Sequence, residues 1–545
     1  GAGPTGLMLA AELTRHGAKC RIIDKTSAPT TQSRALAIHA RTLEVFDAIG
    51  IADEVIAAGH KVHGMSAFSD GRRIAHISFD ELESRFRFVL MLPQSETERI
   101  LSRHLSAAGV EVERNLELTG LAQDGNGVSA VIRPTSGGEP ISCRARWVAG
   151  CDGAHSAVRH LLAAKFEGAQ YDEPFWLADT MLDFNEHDDE IYVYAGAENI
   201  VVLFPIGPGR WRVVVGSDEC KDTVAPTIGQ IQAALEETGV PGVRAHDPVW
   251  LAQFRISRRR VENFRLGRAF LAGDSAHIHS PAGGQGMNTG LQDAFNLGWK
   301  LALADSGAAQ ADLLATYHDE RFPVSGDVLR ETDLMTRVVS MRAPVARAIR
   351  DRLAPVFTAT EVVQQRATRT IAELAVNYRK SPIVGESRGG LGESVLRAGG
   401  AGAGAWYEFG NGPASGDRAP DIDGIEVPGG TAHHLYEALR NSQFNLLLFA
   451  GVESSGDYRD LIAIAEGVRE RYGDQVKSHL VLSRGDDFAA PPGLNVIKDP
   501  GGVAHRAFGA GARCFYLIRP DFYVGFRALP PDGSGLLKNL GLIFK

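Results

Sequence analysis

The chain has 545 residues, beyond the size at which a single hydrophobic core keeps growing, so two or three domains with room for a large buried ligand are expected. With 44% hydrophobic and 23% charged residues and no apolar run near the ~18 residues that cross a bilayer, it reads as a soluble globular protein rather than a membrane-spanning one. A net charge of -9, from 66 acidic against 57 basic residues, lacks the basic footprint that a phosphate backbone demands and excludes nucleic acid as a partner.

Residues 1–13 read as a glycine turn opening a helix, and residues 20–24 (CRIID) as a short apolar strand ending in a carboxylate. The turn, Gly1-Ala2-Gly3-Pro4-Thr5-Gly6, fits GxGxxG, whose glycines permit a tight turn, close approach of backbone to a pyrophosphate, and close helix packing. Such a loop needs a strand to launch it, so an apolar strand upstream of Gly1 is expected. Asp24 follows Gly6 by eighteen residues, where a carboxylate can accept hydrogen bonds from a ribose, with Lys25 beside it. The five cysteines (Cys20, Cys143, Cys151, Cys220, Cys514) form no CxxC pair and no metal-ligand spacing, which points to a reducing cytoplasm and to no metal site.

Helical periodicity occupies residues 41–59 and 95–108. Short strand-like runs fill 110–150, broken at Asn126-Gly127 and Gly137-Gly138. The strand at 147–150 leads into Asp152-Gly153-Ala154-His155-Ser156-Ala157-Val158-Arg159, where Asp152 and Arg159 could be an ion pair at a helix end or part of a ligand site. Between 175 and 220 the runs IYVYAG, NIVVLFPIG and RWRVVVG are β-branched and aromatic and divided by glycine turns, which predicts an antiparallel sheet, assigned here to substrate binding. An apolar strand at 269–272 then meets Gly273-Asp274-Ser275-Ala276-His277 and runs on to Pro281-Ala282-Gly283-Gly284-Gln285-Gly286-Met287-Asn288. That is strand, carboxylate, glycine loop and helix in sequence. Residues 293–375 are mostly helical, the glycine run 399–404 marks a linker, and the tail from about 430 alternates strand and helix as a small α/β unit.

The stretch from Gly273 to Lys300, together with Asp152-Gly153-x-x-Ser156-x-x-Arg159 and the opening glycine turn, resembles the flavoprotein aromatic hydroxylases in motif and in order. The resemblance extends to Arg34, to His39-Ala40-Arg41-Thr42-Leu43-Glu44 and to Pro93-Gln94-Ser95-Glu96-Thr97-Glu98. It implies FAD held by the Gly1–Gly6 turn, Asp24, Lys25, Arg34, Gln94, Asp152, Arg159, Gly273 and Asp274, with Pro281 beside the flavin. Gly284, Gly286, Met287 and Asn288 would face its pyrimidine end, where amides at a helix N-terminus stabilise negative charge. Arg41 would be either a cofactor residue or a structural ion-pair residue. No second strand-GxGxxG-helix unit is present, which disfavours the two-Rossmann reductases and leaves the plan in which NADH or NADPH visits a cleft.

The tail, through Gly416-Asp417-Arg418-Ala419-Pro420-Asp421 and Arg519-Pro520-Asp521, resembles the thioredoxin-like C-terminal domain of the phenol hydroxylase and pentachlorophenol monooxygenase branch. It has no CxxC, so thiol redox chemistry is not expected, and flavin chemistry is not expected to require it. The expected fold is mixed α/β: a discontinuous Rossmann-like FAD domain (1–75, 95–165, 262–345) carrying an inserted antiparallel substrate sheet (76–94, 166–261). A helical region (346–398), a linker (399–430) and a thioredoxin-like domain (431–545) follow.

The reaction so implied is hydroxylation of a phenolic or related aromatic small molecule by NAD(P)H and O2 through a flavin C4a-hydroperoxide; a polycyclic polyketide-like substrate is the alternative. An electron-transfer flavoprotein without substrate oxygenation is a third reading, disfavoured by Pro281 and the Asp152–Arg159 motif. Tyr192, Tyr194, Phe204 and Arg212 are the expected pocket residues on the sheet, with His39 near the ring edge. One branch member carries a catalytic Asp after the place of Arg34, but this chain reads Ala35-Leu36-Ala37-Ile38-His39, which leaves the base unassigned. The resemblance also implies a homodimer.

Overall fold

The computed structural model describes the whole chain except residues 31, 32, 34, 70, 197, 198, 222–224, 241, 280, 281, 340–360, 390–401, 453–455 and 484–487. Helix α1 (Pro4–Arg15) begins directly after Gly3, with Pro4 supplying the fixed φ that a first helical position favours. Helix α2 is Ala40–Ala48, buried along its whole length. The short strand Ile22–Ile23 pairs in parallel with Val112–Glu113, and Val148–Gly150 pairs in parallel with Ala269–Leu271. These two ladders belong to separate sheets, and both border a central cavity that runs past Leu9, Leu13 and Leu118.

A second layer is an eight-stranded sheet made of β1 (Gly64–Ser69), β2 (Arg72–Ser78), β3 (Phe166–Asp183), β4 (Glu190–Ala195), β5 (Ile200–Gly207), β6 (Arg210–Gly216), β7 (Arg244–Val261) and β8 (His277–Ile278). Its spatial order is β8-β7-β3-β6-β5-β4-β1-β2. Every pairing is antiparallel except β4 with β1, which is parallel. The expected boundary at residue 75 therefore cuts through this sheet. Residues 64–78 join it, whereas Val89–Met91 pairs instead with Ala37–Ile38 and His60–Val62. The β1–β4 contact joins segments more than a hundred residues apart, so no local periodicity could report it.

Helix α3 (Gln285–Ser306) is buried over almost its full length between α1, the site loops and α4 (Thr316–Val339). The C-terminal sheet contains β9 (Gly385–Arg388), β10 (Phe444–Phe449), β11 (Val476–Leu482), β12 (Leu494–Lys498), β13 (Cys514–Ile518) and β14 (Val524–Leu529), in the order β9-β14-β13-β10-β11-β12. Two expectations are corrected here. Residues 402–411 of the expected linker form helix α5 (Gly402–Asn411), and β9, upstream of that linker, is an edge strand of the C-terminal sheet. No helix among the described residues is long and apolar enough to cross a membrane.

The tail is not a loosely attached module. Arg519 donates to both oxygens of Glu320 on α4 (2.7 and 2.8 Å) and to Asp521, while Lys300 Nζ donates to Glu320 at 2.6 Å. Trp299 Nε1 donates to Asp521 (3.1 Å), Arg41 Nη2 to the Asp521 carbonyl (2.7 Å), and Arg418 pairs with Glu44 (3.0 Å). Arg519, Glu320 and Lys300 are fully buried. Burial alone would favour a neutral Glu320, but Arg519 and Lys300 outweigh it and hold its carboxyl far below the usual range.

Removing one partner of such a cluster strands a buried charge. Arg519→Met should lower unfolding free energy by about 3–5 kcal/mol, read as a lower denaturant midpoint. Glu320→Gln combined with Arg519→Met should cost less than the sum of the single changes; strictly additive costs would show that the two groups do not couple.

Candidate active site

A cavity of about 1720 Å³ connects the glycine turn with one face of the eight-stranded sheet, larger than the ~300–1,000 Å³ usual for one small ligand. Gly1, Gly3, Pro4, Thr5 and Gly6 line it. A Cβ on Gly6 would collide with the Gly1 carbonyl, so the turn can be this tight only with glycine there, while a Cβ on Gly3 would meet nothing within 4 Å, leaving its backbone open. Asp24, on the cavity wall with Lys25, accepts the Ala2 amide at 2.6 Å and both the amide (2.8 Å) and hydroxyl (2.6 Å) of Thr26. Burial would raise its pKa, but these donors prevail and keep it below the usual carboxylate range. Gln94 also lines the cavity and donates to Glu98 at 2.9 Å.

The Asp152 loop and the Asp274 loop meet beside this turn. Asp152 lines the cavity and accepts the Val158 amide (3.2 Å), while Ser156 caps the helix Ala157–Leu161. Arg159 does not face the cavity. Capping by Ser156 places it in the first helical turn, where it is 2% exposed, stacks over Phe166 at 4.0 Å and donates to the carbonyls of Ser275 (3.0 Å) and Ala154 (2.6 Å). It clamps the two loops together. Asp274 is exposed on the cavity wall. Gly273 donates its amide to Asp293 on α3 (3.0 Å), and Asp293 also takes His277 (2.6 Å) and Arg321 (2.6 Å). Burial would raise the Asp293 pKa, but Arg321 and His277 bring it down to about 2, so it is a fixed anion.

At the start of α3, Gly283 and Gly284 have φ of 82° and 66°, the left-handed region. His39 Nε2 donates to the Gly283 carbonyl (2.8 Å), and Asn288 Nδ2 donates to the carbonyls of Gly284 (2.9 Å) and Ala37 (2.8 Å). Asn288 Oδ1 accepts the His39 amide at 3.0 Å. The peptide unit is planar and trans, so pinning those two carbonyls on one side turns the amides of Gly284 and Gln285 to the other. Gly284, Gly286 and Met287 line the cavity, whereas the fully buried Asn288 is a clip and not a lining residue. Burial pushes the His39 pKa down to about 4 against the pull of the Gly283 carbonyl, so His39 is a neutral donor to the loop.

On the sheet, pairing settles which side chains face the cavity. Tyr192 lies opposite Leu203, and Phe204 opposite Arg212, so Tyr192 and Phe204 point to opposite faces. Phe204 and Arg212 line the cavity with Ile191, Val193, Val202 and Val214. Tyr192 and Tyr194 are corrected: they pack with Trp211 in the core on the far face. Arg212 is held by Asp179 through two bonds (2.7 and 2.8 Å). Arg41 is a structural residue, paired with Glu44 (2.9 Å) and lying 5.0 Å from the Tyr523 ring centre. Arg34 and Pro281 lie outside the described residues.

Sequence reasoning missed the Asp293–His277–Arg321 cluster and Glu373, whose partners lie on separate elements; the signal in the sequence was Asp293 itself, a carboxylate inside the helix that follows the glycine loop. Glu373 is buried against α3, accepting from Gln292 and lying 3.3 Å from the Thr289 hydroxyl, which itself donates to the Gln285 carbonyl. Burial drives its pKa up to about 8, more than Arg321 and the two α3 side chains draw it down. Among the described residues no group of three His, Cys, Asp or Glu could hold a metal ion.

Residues 1–332 match the family described as FAD binding domain. The chain is 35% identical over 540 residues to 6-methylpretetramide 4-monooxygenase of Streptomyces rimosus, covering 96% of this chain and 89% of the relative. It is 32% identical over 550 residues to pentachlorophenol 4-monooxygenase of Sphingobium chlorophenolicum, covering 99% and 95%. Among solved structures, the OxyS anhydrotetracycline hydroxylase of Streptomyces rimosus superposes with a TM-score of 0.75 at 28% identity, covering 100% of this chain and 98% of that one.

Two outcomes follow from this geometry. Asp274→Ala should weaken FAD binding by about ten- to a hundredfold, the loss of a charged hydrogen-bond acceptor worth roughly 1.5–3 kcal/mol, measured by titrating the apoprotein. Glu373 has a folded-state pKa of about 8 against an ordinary 4.5, so the stability it contributes is full below about pH 4.5 and lost as pH rises to about 8. Glu373→Gln should therefore raise the denaturation midpoint at pH 8–9 relative to the parent and leave it unchanged near pH 4.5; equal effects at both pH values would refute the assignment.

Proposed function

The chain belongs to the family of FAD-dependent aromatic hydroxylases built on this FAD-binding domain, and on that premise we propose that it consumes NADH or NADPH and O2 to hydroxylate a polycyclic aromatic molecule. The residues fit the cofactor: an open backbone at Gly3 and the N-terminus of α1 for the pyrophosphate, Asp24 for a ribose, Asp274 for the ribityl chain, and the amides at the start of α3 for the flavin ring. When bound, FAD supplies the redox chemistry that activates oxygen. The protein's own part is to orient the ring and keep water away.

One observation carries the choice of substrate class. The cavity-facing wall crosses six neighbouring strands, β7, β3, β6, β5, β4 and β1, with Phe175, Leu177, Val193, Val202, Val214 and Met65 among its apolar residues. At about 4.8 Å per strand it is roughly 24 Å wide, a surface suited to several fused rings lying flat rather than to one phenol. Arg212, held in place by Asp179, is a charged group within that wall and the one a substrate oxygen would meet near the middle strands. The name of the Streptomyces relative, a pretetramide monooxygenase, agrees with this reading, while the pentachlorophenol enzyme keeps a single ring as the second reading.

The test is a panel of tetracyclic and angular polyketides against simple phenols, scored by acceleration of NAD(P)H-dependent flavin bleaching and by a product heavier by one oxygen. Polycyclic compounds should be the better effectors. Val202→Trp, which fills the wall, should abolish turnover of the polycyclic substrate while FAD content stays the same; selective turnover of single-ring phenols by the parent protein would overturn the size argument.

A further inference from the structure

Glu373 is out of place in two independent ways. It follows the helix Glu361–Ile371, whose end is closed by the Glu373 amide on the Thr370 carbonyl (3.1 Å) and the Leu374 amide on the Arg369 carbonyl (2.9 Å). This closure puts Glu373 in the left-handed region, with φ at 58°, a position that helix ends usually give to glycine. The residue is also buried, 4% exposed, where a charged group is costly. A backbone that favours glycine and an interior that disfavours charge meet at one residue, which points to a role for its side chain.

That side chain reaches the first turns of α3. Gln292 Nε2 donates to Glu373 Oε2, and Oε1 lies 3.3 Å from the Thr289 hydroxyl. A hydroxyl has a single proton, and the nearer Gln285 carbonyl (2.9 Å) takes that of Thr289. Contact with Oε1 is therefore a hydrogen bond only when Glu373 supplies the proton. The donors then run from Glu373 through Thr289 to Gln285, one helical turn or about 6 Å back along the axis, at the loop whose amides turn away from the pinned carbonyls. Ile371, two residues before Glu373, lines the cavity, and Gln285 Nε2 donates to the Thr370 carbonyl at 3.5 Å. The charged groups acting on the carboxyl are Arg321 from α4 and Asp293 from α3. Those two are bonded to each other (2.6 Å), which leaves Glu373 without a cation of its own and lets burial push its pKa up.

We propose that Glu373 is a positioning residue for the flavin loop, one that must be a neutral acid while the flavin is reduced and that takes up a proton on reduction if it is ionised beforehand. A reduced flavin carries negative charge at the end that the α3 amides would face, and an ionised carboxyl behind the same helix turn would oppose it. From ionised Glu373, two electrons and one proton enter the flavin, and a second proton from solvent forms the O–H bond on the carboxyl. From the neutral acid, only the flavin gains a proton. The proposal rests on FAD lying at the start of α3, and on neither the coenzyme nor the aromatic substrate.

The test is a dye-calibrated reduction of the FAD-loaded protein with dithionite between about pH 6 and about pH 10, for the parent and Glu373→Gln, reading the flavin midpoint potential. Near pH 6 the two proteins should share one potential. Above about pH 8 the parent's potential should fall more steeply with pH, because its reduction takes up an extra proton, while the glutamine variant keeps a constant slope. Parallel lines over the whole range overturn the proposal, and so does a parent whose own slope never steepens, a result that needs no variant. A parent protein that takes up no FAD would overturn the cofactor assignment and this role for Glu373 together.

Discussion

The buried ion pair between Asp293 and Arg321 is the interaction on which the centre of the molecule turns. Helix α3 passes through the interior with almost no surface of its own, and a carboxylate there would cost several kcal/mol if left unpaired. Arg321 neutralises it from α4, and the remaining acceptor capacity takes the Gly273 amide and His277. The same anion thus fixes a helix in the core and anchors the loop that carries Asp274 to the cavity wall. Seven residues further along, Lys300 repeats the arrangement with Glu320, which draws in Arg519 from the C-terminal sheet.

Through these two clusters one helix links the cofactor loops to the tail. The clip formed by His39 and Asn288 sits at its N-terminal end, the Asp293 cluster one to two turns on, and the Lys300–Glu320–Arg519 cluster near its last turns. Helix α2 is tied at its N-terminal end in the same way, because His39 precedes it and Arg41, in its first turn, reaches the Asp521 carbonyl. Among the described residues the C-terminal unit contributes none to the cavity wall, yet it grips the two helices that begin beside the glycine loop of α3.

Much of the site was legible because short-range rules wrote it. Gly1, Gly3 and Gly6, Asp24, Asp274, Gly284 and Gly286 stand at spacings set by one turn, one strand or one helix start, and all border the cavity. What failed depended on partners distant in sequence. Arg159 sits in a motif at the right place, but its side chain is spent on the Ser275 carbonyl, more than a hundred residues away. Tyr192 and Tyr194 were placed on the wrong face because alternation within a strand gives two faces without saying which is inward; only the pairing of Tyr192 with Leu203 decides it. The parallel contact of β1 with β4 and the recruitment of β9 to the C-terminal sheet were equally invisible to local patterns.

The misplaced tyrosines point to a property of the sheet. Its far face is an aromatic layer in which Tyr194 stacks on Phe68 (4.8 Å between ring centres) and Tyr192 meets Phe184 edge-on (5.5 Å), closed over by the helix Ile228–Glu237. The near face, with Val193, Val202 and Phe204, borders the cavity. Stability of these strands is stored behind them, and shape selectivity is displayed in front. A residue on the near face meets the cavity on one side, so a change in its size disturbs fewer packed neighbours than the same change at its sequence neighbour behind. Such a sheet gives variation a place to act in which new substrates can be sampled by single substitutions at alternate positions, without the fold first having to be made more stable.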